Sequence, residues 1–379
     1  MEKSKLDSFL EYFSNLEDPR INRKKQYPLD EILLVVLCAV VCGAEGWADF
    51  KLFGDEKLDF LRIYLPFKNG IPSRNTYSRV FSLLNPESFK ECFISWVKSF
   101  QKSMQEVIAI DGKTLRHSFD TTKDKPAIHM VIAFASKARL VLGQQKVNDK
   151  SNEITAIPEL LRLLDIKGSI ITIDAMGCQK EIAKNIVEKE ADYVFSLKGN
   201  HENLFDDVKT FFEFGRKERF RDTSFDYHEE LNKEHGRIDT RKCWISSQTD
   251  WIDQKDKWKG FNSIAMVEST RTIKDRTTVE TRFFISSLPQ NAKLFATVVR
   301  SHWGIENTLH WVLDMTFRED ESRVREGNSA ENMAIIRHTV LNMLQNSKKK
   351  DISTISIRAL RKKAGWSNNA LAQIILQNF

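Results

Sequence analysis

The chain has 379 residues, with 58 Lys and Arg against 52 Asp and Glu, a formal net charge of +6, and 41% hydrophobic residues. This is an ordinary globular composition, long enough for two or three domains and a sizeable core, and it excludes a disordered or fibrous chain. The mild positive charge is compatible with a polyanionic partner but does not require one.

The longest apolar run, residues 32–42, spans eleven residues. It is too short to cross a bilayer and reads as a buried helix. The first residues lack the basic-then-apolar layout of a signal peptide. Five cysteines are scattered with no CxxC pair, and Cys38 and Cys42, four apart on the apolar helix, read as core thiols. The expectation is a cytoplasmic protein without membrane contact.

Residues 1–100 read as a helical N-terminal domain, with helices at about 29–43, 47–65 and 86–100. Between the last two lies "GIPSRNTYSRVFSLL", where Ser73 is an N-cap candidate and Arg74 and Arg79 fall on the next helix. That helix could read DNA or be a plain amphipathic helix with solvated arginines. From residue 107 the pattern changes. "VIAID" is a short buried strand ending at Asp111, and "HMVIAFASK" and "LVLGQQKVN" continue as a meander. A helix interrupted early by Pro158 follows. Then come the strand "SIITIDA", an immediate helix, the strand "DYVFSL" and a helix from about 203 to 217. This order, β-β-β-α-β-α-β-α, makes a mixed sheet flanked by helices, an α/β fold. Residues 220–290 read as a β-rich insertion. A helical stretch resumes at about 292, so a catalytic-type domain covers 101–345, and a basic helical tail covers 346–379.

Asp111 ends the first strand and Asp174 the fourth. Those strands are neighbours in a sheet of this order, so their tips can bring both carboxylates together. A lone Asp at a strand tip is more often a cap or turn residue; two adjacent ones repel unless a cation lies between them. Glu306, in "SHWGIENTLHW", is the candidate third acid. His302, Glu306 and His310 are four residues apart and share a helix face. That face could bind zinc by itself, or Glu306 could join the aspartates while the histidines face DNA or neighbouring side chains; the second reading is favoured. Three oxygen ligands from separate elements suit Mg²⁺, or Mn²⁺ in its place, with positions left open for phosphate. Two ions roughly 4 Å apart can activate a water or 3′-hydroxyl and stabilise the leaving oxygen.

The stretches "VIAIDGKTLRHS", "KSNEITAIPELL", "ITIDAMGCQKEIA", "YVFSLKGN", "HGRI", "HWGIENTLHWVLDMTFRED" and "RVREGNSAENMAIIRHTVLNML" carry a resemblance along nearly the whole chain. It resembles the DDE transposases with a ribonuclease-H-like core, of the insertion-sequence and H-repeat-associated group. The resemblance implies that Asp111, Asp174 and Glu306 are the catalytic, metal-binding triad. It implies a DNA transposase that hydrolyses phosphodiester bonds at element ends and transfers the 3′-hydroxyl into target DNA. Double-stranded DNA as partner and a homodimer on that DNA follow from pairing two ends. Two other readings are a ribonuclease-H-like nuclease that cleaves without joining and a transposition-inactive DNA-binding relative. The chain departs from the wider Tyr, Arg, Glu, Lys signature, with Val299, His302 and Leu313 at the Tyr, Arg and Lys places.

Lys113 could touch a phosphate or be a solvated turn lysine. Glu153 could be an accessory acid near the metals or a first-turn glutamate facing the helix dipole, and the second is favoured. Lys198 and Asn200 follow the fifth strand, where a DNA strand would pass. His235, Arg237 and Arg241 look like a basic finger. Arg323 and Arg325 could bind phosphate or pair with Glu319, Asp320 and Glu321. Trp303 and Trp311 read as core anchors of the helix, with base stacking as the other use. Asp314 lies too far along the helix to join Glu306 as a ligand.

Overall fold

The structure, a computed structural model, describes residues 11–100, 105–123, 125–148, 152–221, 223–234, 236–350 and 354–376. The N-terminal region is helical: α1 (Leu29–Val41), α2 (Trp47–Glu56), the single turn α3 (Leu58–Leu61), α4 (Arg74–Leu83) and α5 (Pro86–Phe100). The apolar run falls on α1, which is buried from Glu31 to Val41. Asp30 and Glu31 in its first turn favour the positive helix end, and Glu31 accepts the Phe67 N–H at 2.6 Å. Ser73 stands at the N-cap of α4 but makes no side-chain cap bond to the backbone.

Strands β1 (Val107–Thr114), β2 (His129–Ala135) and β3 (Leu140–Lys146) form the antiparallel meander. Helix α6 (Glu153–Leu163), running through Pro158, leads to β4 (Ile170–Ile173); α7 (Lys180–Glu188) leads to β5 (Asp192–Leu197), and α8 (Glu202–Lys217) follows. β4 lies parallel to both β1 and β5. Short apolar strands such as Ile108-Ala-Ile110 are buried on both faces because helices cover both sides. The expected ribonuclease-H-like mixed sheet flanked by helices is therefore present.

The β-rich stretch supplies β6 (Asp226–Glu234), β7 (Arg237–Ser246), β8 (Ser263–Ile273) and β9 (Arg276–Ser286). These strands extend the same sheet. β9 pairs antiparallel with β5, giving nine strands in the order β3-β2-β1-β4-β5-β9-β8-β7-β6. Helix α9 (Ala292–His302), a π-helical segment at Ile305–His310 and α10 (Trp311–Phe317) form one interrupted rod across the sheet. Helix α11 (Ser329–Lys350) is buried along most of its length. It packs on β3, α1, α4 and α5, and its Asn342 side chain bonds both the N–H and the carbonyl of Val141 in β3 at 2.8 Å. The basic tail is two helices, α12 (Ile357–Trp366) and α13 (Asn368–Leu376), packed against α1 and α11. Arg361 of α12 is buried, donates to the Val40 carbonyl at 2.8 Å and lies over the Phe317 ring.

Candidate active site

The β1–β4 register aligns Ile110 with Ile173. Asp111 and Asp174 are each the next residue, so their backbones emerge side by side, about one strand spacing of 4.8 Å apart. Asp174 also serves the local turn. Its Oδ1 accepts the N–H groups of Met176 (3.0 Å) and Gly177 (3.3 Å), which delays α7 to Lys180 rather than starting a helix at once. The bland and the functional roles are therefore compatible, because the turn uses one carboxylate oxygen. Asp111 Oδ1 accepts the Gly112 N–H at 2.9 Å.

Glu306 lies in the π-helical segment. A π turn places one extra residue in the helical circuit, and such turns recur at functional sites. Its aliphatic neighbours Ile305 and Leu309, followed by Leu313 and Phe317, form a buried stripe four residues apart, leaving Glu306 on the exposed side. Asp111, Asp174 and Glu306 all line one cleft of about 370 Å³ bounded by the middle of β1, the ends of β4 and β5, the β9 strand and the α9 rod.

Burial and then the negative charges of Asp174, Glu153 and Glu306 push the Asp111 carboxyl up to about 7, against the Gly112 N–H. A cation among these acids would reverse that shift. The donors are hard carboxylate oxygens, which fit Mg²⁺ or Mn²⁺. Among the described residues no three His, Cys, Asp or Glu side chains are gathered tightly enough to hold an ion, so the acids form a donor set rather than a closed cage. The zinc reading has no support in this arrangement. His302 Nδ1 is hydrogen-bonded to Thr172 Oγ1 at 2.8 Å, and His310 Nδ1 lies 3.7 Å from Asp111 Oδ2. Burial pushes both imidazoles down to about 4, with Arg282 adding to the shift at His302 and Lys113 at His310. They are neutral, and the His310 approach is not an ion pair. His310 Nε2 is buried without a partner.

The remaining expected residues divide. Lys198 is exposed and lines the cleft. Asn200 instead donates its side-chain N–H to the Ala175 carbonyl at 2.7 Å. Lys113 is neither a phosphate contact nor a solvated lysine as it stands. It is buried and donates to Asp314 at 2.6 Å, with Asp320 at 3.5 Å. Arg237 pairs with Asp239 at 3.0 Å, and Arg241 is half-buried. His235 lies outside the described residues. Arg323 is exposed in a separate cleft beside Glu45 and Trp47. Arg325 does not take the neighbouring acids; it donates to the His117 carbonyl at 2.9 Å and lies over Phe119. Those acids have other partners: Arg337 for Glu319, Lys113 and Arg116 for Asp320, and Arg318 for Glu321.

Trp303 and Trp311 correct the sequence reading. They are 39% and 59% exposed, because the aliphatic stripe takes the core side of the rod. Arg282 of β9 lies 4.5 Å over the Trp303 ring, at the cleft wall. Neither this pair nor the His302–Thr172 bond has a sequence signature, since each joins distant elements.

Residues 102–343 match the family described as Transposase DDE domain, and residues 10–97 match the family described as DDE_Tnp_1-associated. The chain is 42% identical to "H repeat-associated putative transposase YhhI" of Escherichia coli (strain K12), covering 98% of each chain. It is 41% identical to "Putative transposase YncI" of Escherichia coli O157:H7, over 98% of this chain and 95% of that one. A shorter relative, "Inactive transposase YbfQ" of Escherichia coli (strain K12), is 46% identical over 77 residues, which is 20% of this chain and 92% of that one.

Proposed function

The chain belongs to the DDE transposase family, and on that premise we propose that it is a DNA transposase with Asp111, Asp174 and Glu306 as its catalytic acids. The observation that carries this reading is the Ile110–Ile173 register, which delivers two aspartates to one cleft that Glu306 also lines. The substrate is double-stranded DNA at the element ends, followed by target DNA. Pairing two ends calls for two active sites, hence a homodimer on DNA.

Bound Mg²⁺ would activate a water or 3′-hydroxyl and stabilise the leaving oxygen, so no nucleophilic side chain is needed. Asp111, Asp174 and Glu306 are the residues that would hold it. The turn N–H groups pin Asp174 through Oδ1 and leave Oδ2 for the site. The part-buried Lys113–Asp314 pair ties β1 to the rod that bears Glu306. Lys198, exposed at the cleft rim, faces the path of a phosphate backbone. The exposed Arg74 and Arg79 of α4 and the rest of the N-terminal region, residues 1–100, take the role of end recognition.

A second reading is a transposition-inactive DNA-binding protein, favoured by the likeness to a relative named as inactive. Against it, the three acids and their flanking motifs are intact here. Alanine replacement at each acid tests the assignment. Each variant is expected to bind DNA but to lose Mg²⁺-dependent cleavage; retained cleavage in one of them removes that residue from the site.

A further inference from the structure

Gly112, beside Asp111, has an ordinary negative-φ backbone, so nothing in its conformation requires glycine. Space does. A β-carbon there would overlap the Glu153 carboxylate and stand 2.6 Å from His129 Nε2. The bare backbone of residue 112 leaves room for an acid and an imidazole against the strand that carries Asp111.

Both partners are fixed. His129 stands opposite Thr114 in the β1–β2 register, and its Nδ1 is hydrogen-bonded to Thr114 Oγ1 at 2.8 Å. Its Nε2 is bonded to Glu153 Oε1 at 2.6 Å. The carboxylate can only accept, so Nε2 donates to Glu153, while the Thr114 hydroxyl can partner Nδ1 in either role. Glu153 is largely buried, at 14% side-chain exposure. It opens α6 but does not cap it, because Asn152 accepts the Ile154 N–H. Its carboxylate lies against Gly112, the residue next to Asp111.

We propose that Glu153 is a fourth carboxylate of the divalent-ion site, and that His129, locked by Thr114, is the positioning residue that aims it past Gly112 toward Asp111. The imidazole occupies Oε1 and leaves Oε2 to a ligand. This arrangement matches the way ligating groups are oriented by a second hydrogen-bonded partner. The inference rests on the transposase reading, since it assigns a further residue to the same site.

The test measures Mn²⁺ binding to the full chain by electron paramagnetic resonance titration, without DNA, for wild type, Glu153→Gln, His129→Ala and Asp174→Asn. Glutamine keeps an acceptor for His129 and removes the charge. Glu153→Gln is expected to weaken Mn²⁺ binding by at least roughly ten-fold, the smallest loss usual even for an outer partner, and His129→Ala to weaken it by a smaller factor. Thermal melts show that the variants are folded. If Glu153→Gln is folded and binds Mn²⁺ as wild type does while Asp174→Asn loses binding, the fourth-ligand role is overturned and the transposase reading stands. If wild type binds no Mn²⁺, both fail. Should Glu153→Gln not fold, Glu153→Asp decides: a folded protein with Mn²⁺ binding unchanged overturns the role, and weakened binding supports it.

Discussion

Lys113 and Asp314, 201 residues apart, meet as an ion pair of 2.6 Å in which the lysine side chain is 7% exposed and the aspartate 31% exposed. The pair joins the strand bearing Asp111 to the helix rod bearing Glu306. Asp320 adds a second contact to the ammonium at 3.5 Å, so the latch also holds the turn after α10.

Breaking that latch should cost stability rather than DNA affinity. Lys113→Met removes the ammonium from Asp314, which stays partly solvated, and losing a hydrogen bond between charged groups typically costs about 1.5–3 kcal/mol. Urea unfolding is expected to show a loss of that order. The salt dependence of DNA binding should keep its wild-type slope, because each lysine that touches a phosphate adds close to one unit to it. A reduced slope with unchanged stability would restore Lys113 as a phosphate contact.

Asn342 satisfies both polar groups of Val141 inside the core. Asn342→Ala strands a buried N–H and a buried carbonyl, and the loss should reach at least about 2 kcal/mol in urea unfolding. A change under half of that would mean that the strand irregularity beside Gly143 relaxes to pair its own backbone.

The π turn is open to a one-residue test. Deleting Asn307, which is exposed, removes the extra residue of the circuit and lets an α-helical path resume. The buried stripe after it can then be kept only by rotating Glu306 away from the cleft. Cleavage should fall by at least roughly a hundred-fold, the usual penalty for a small misplacement of a reacting group. Circular dichroism should retain the wild-type helix content, and wild-type cleavage rates in a folded deletion would remove any role for the π turn.

His338 should add to acid sensitivity, alongside His302 and His310, whose rings are shifted the same way. Burial, then Arg337, His310 and Lys113, pushes its imidazole down to about 3, and neither ring nitrogen has a partner. Its unfolded value is near 6.5. Below that pH the unfolded chain binds a proton that the native state refuses, so stability is complete above about pH 6.5 and falls as pH drops toward 3. His338→Leu is expected to flatten the fall between pH 6.5 and 4.5 relative to wild type. Parallel stability curves for the two proteins over that range would contradict the assignment.

Much of the site was legible because it depends on short-range rules. Strand order already implies that Asp111 and Asp174 are neighbours, and β4 does lie parallel to β1. The expected strand end at Asp111 is wrong, because β1 stays paired with β2 as far as Thr114 and only its pairing with β4 stops at Ile110. What escaped depends on distant partners or on small differences of period. The i, i+4, i+8 spacing of His302, Glu306 and His310 suits an α-helix and a π turn alike, so the bulge is invisible. The size of Trp303 and Trp311 suggested core positions, but Ile305, Leu309, Leu313 and Phe317 fill the core with a consistent four-residue stripe. The insertion was recognisable by its β-branched and aromatic residues; that β9 would pair with β5 is a long-range choice that local pattern does not encode. The fate of Lys113 rests on an acid far along the chain.

The most direct test of the central claim is Mg²⁺-dependent nicking and joining of double-stranded DNA carrying the repeats that flank the gene, with wild type beside Asp174→Asn. Asparagine keeps the oxygen that accepts the Met176 and Gly177 N–H groups and removes only the charge. Wild type is expected to nick and join, and Asp174→Asn to bind the same DNA while doing neither. Nicking and joining that survive in Asp174→Asn would contradict the metal role of that aspartate, and tight binding by wild type with no nicking at all would contradict the enzyme.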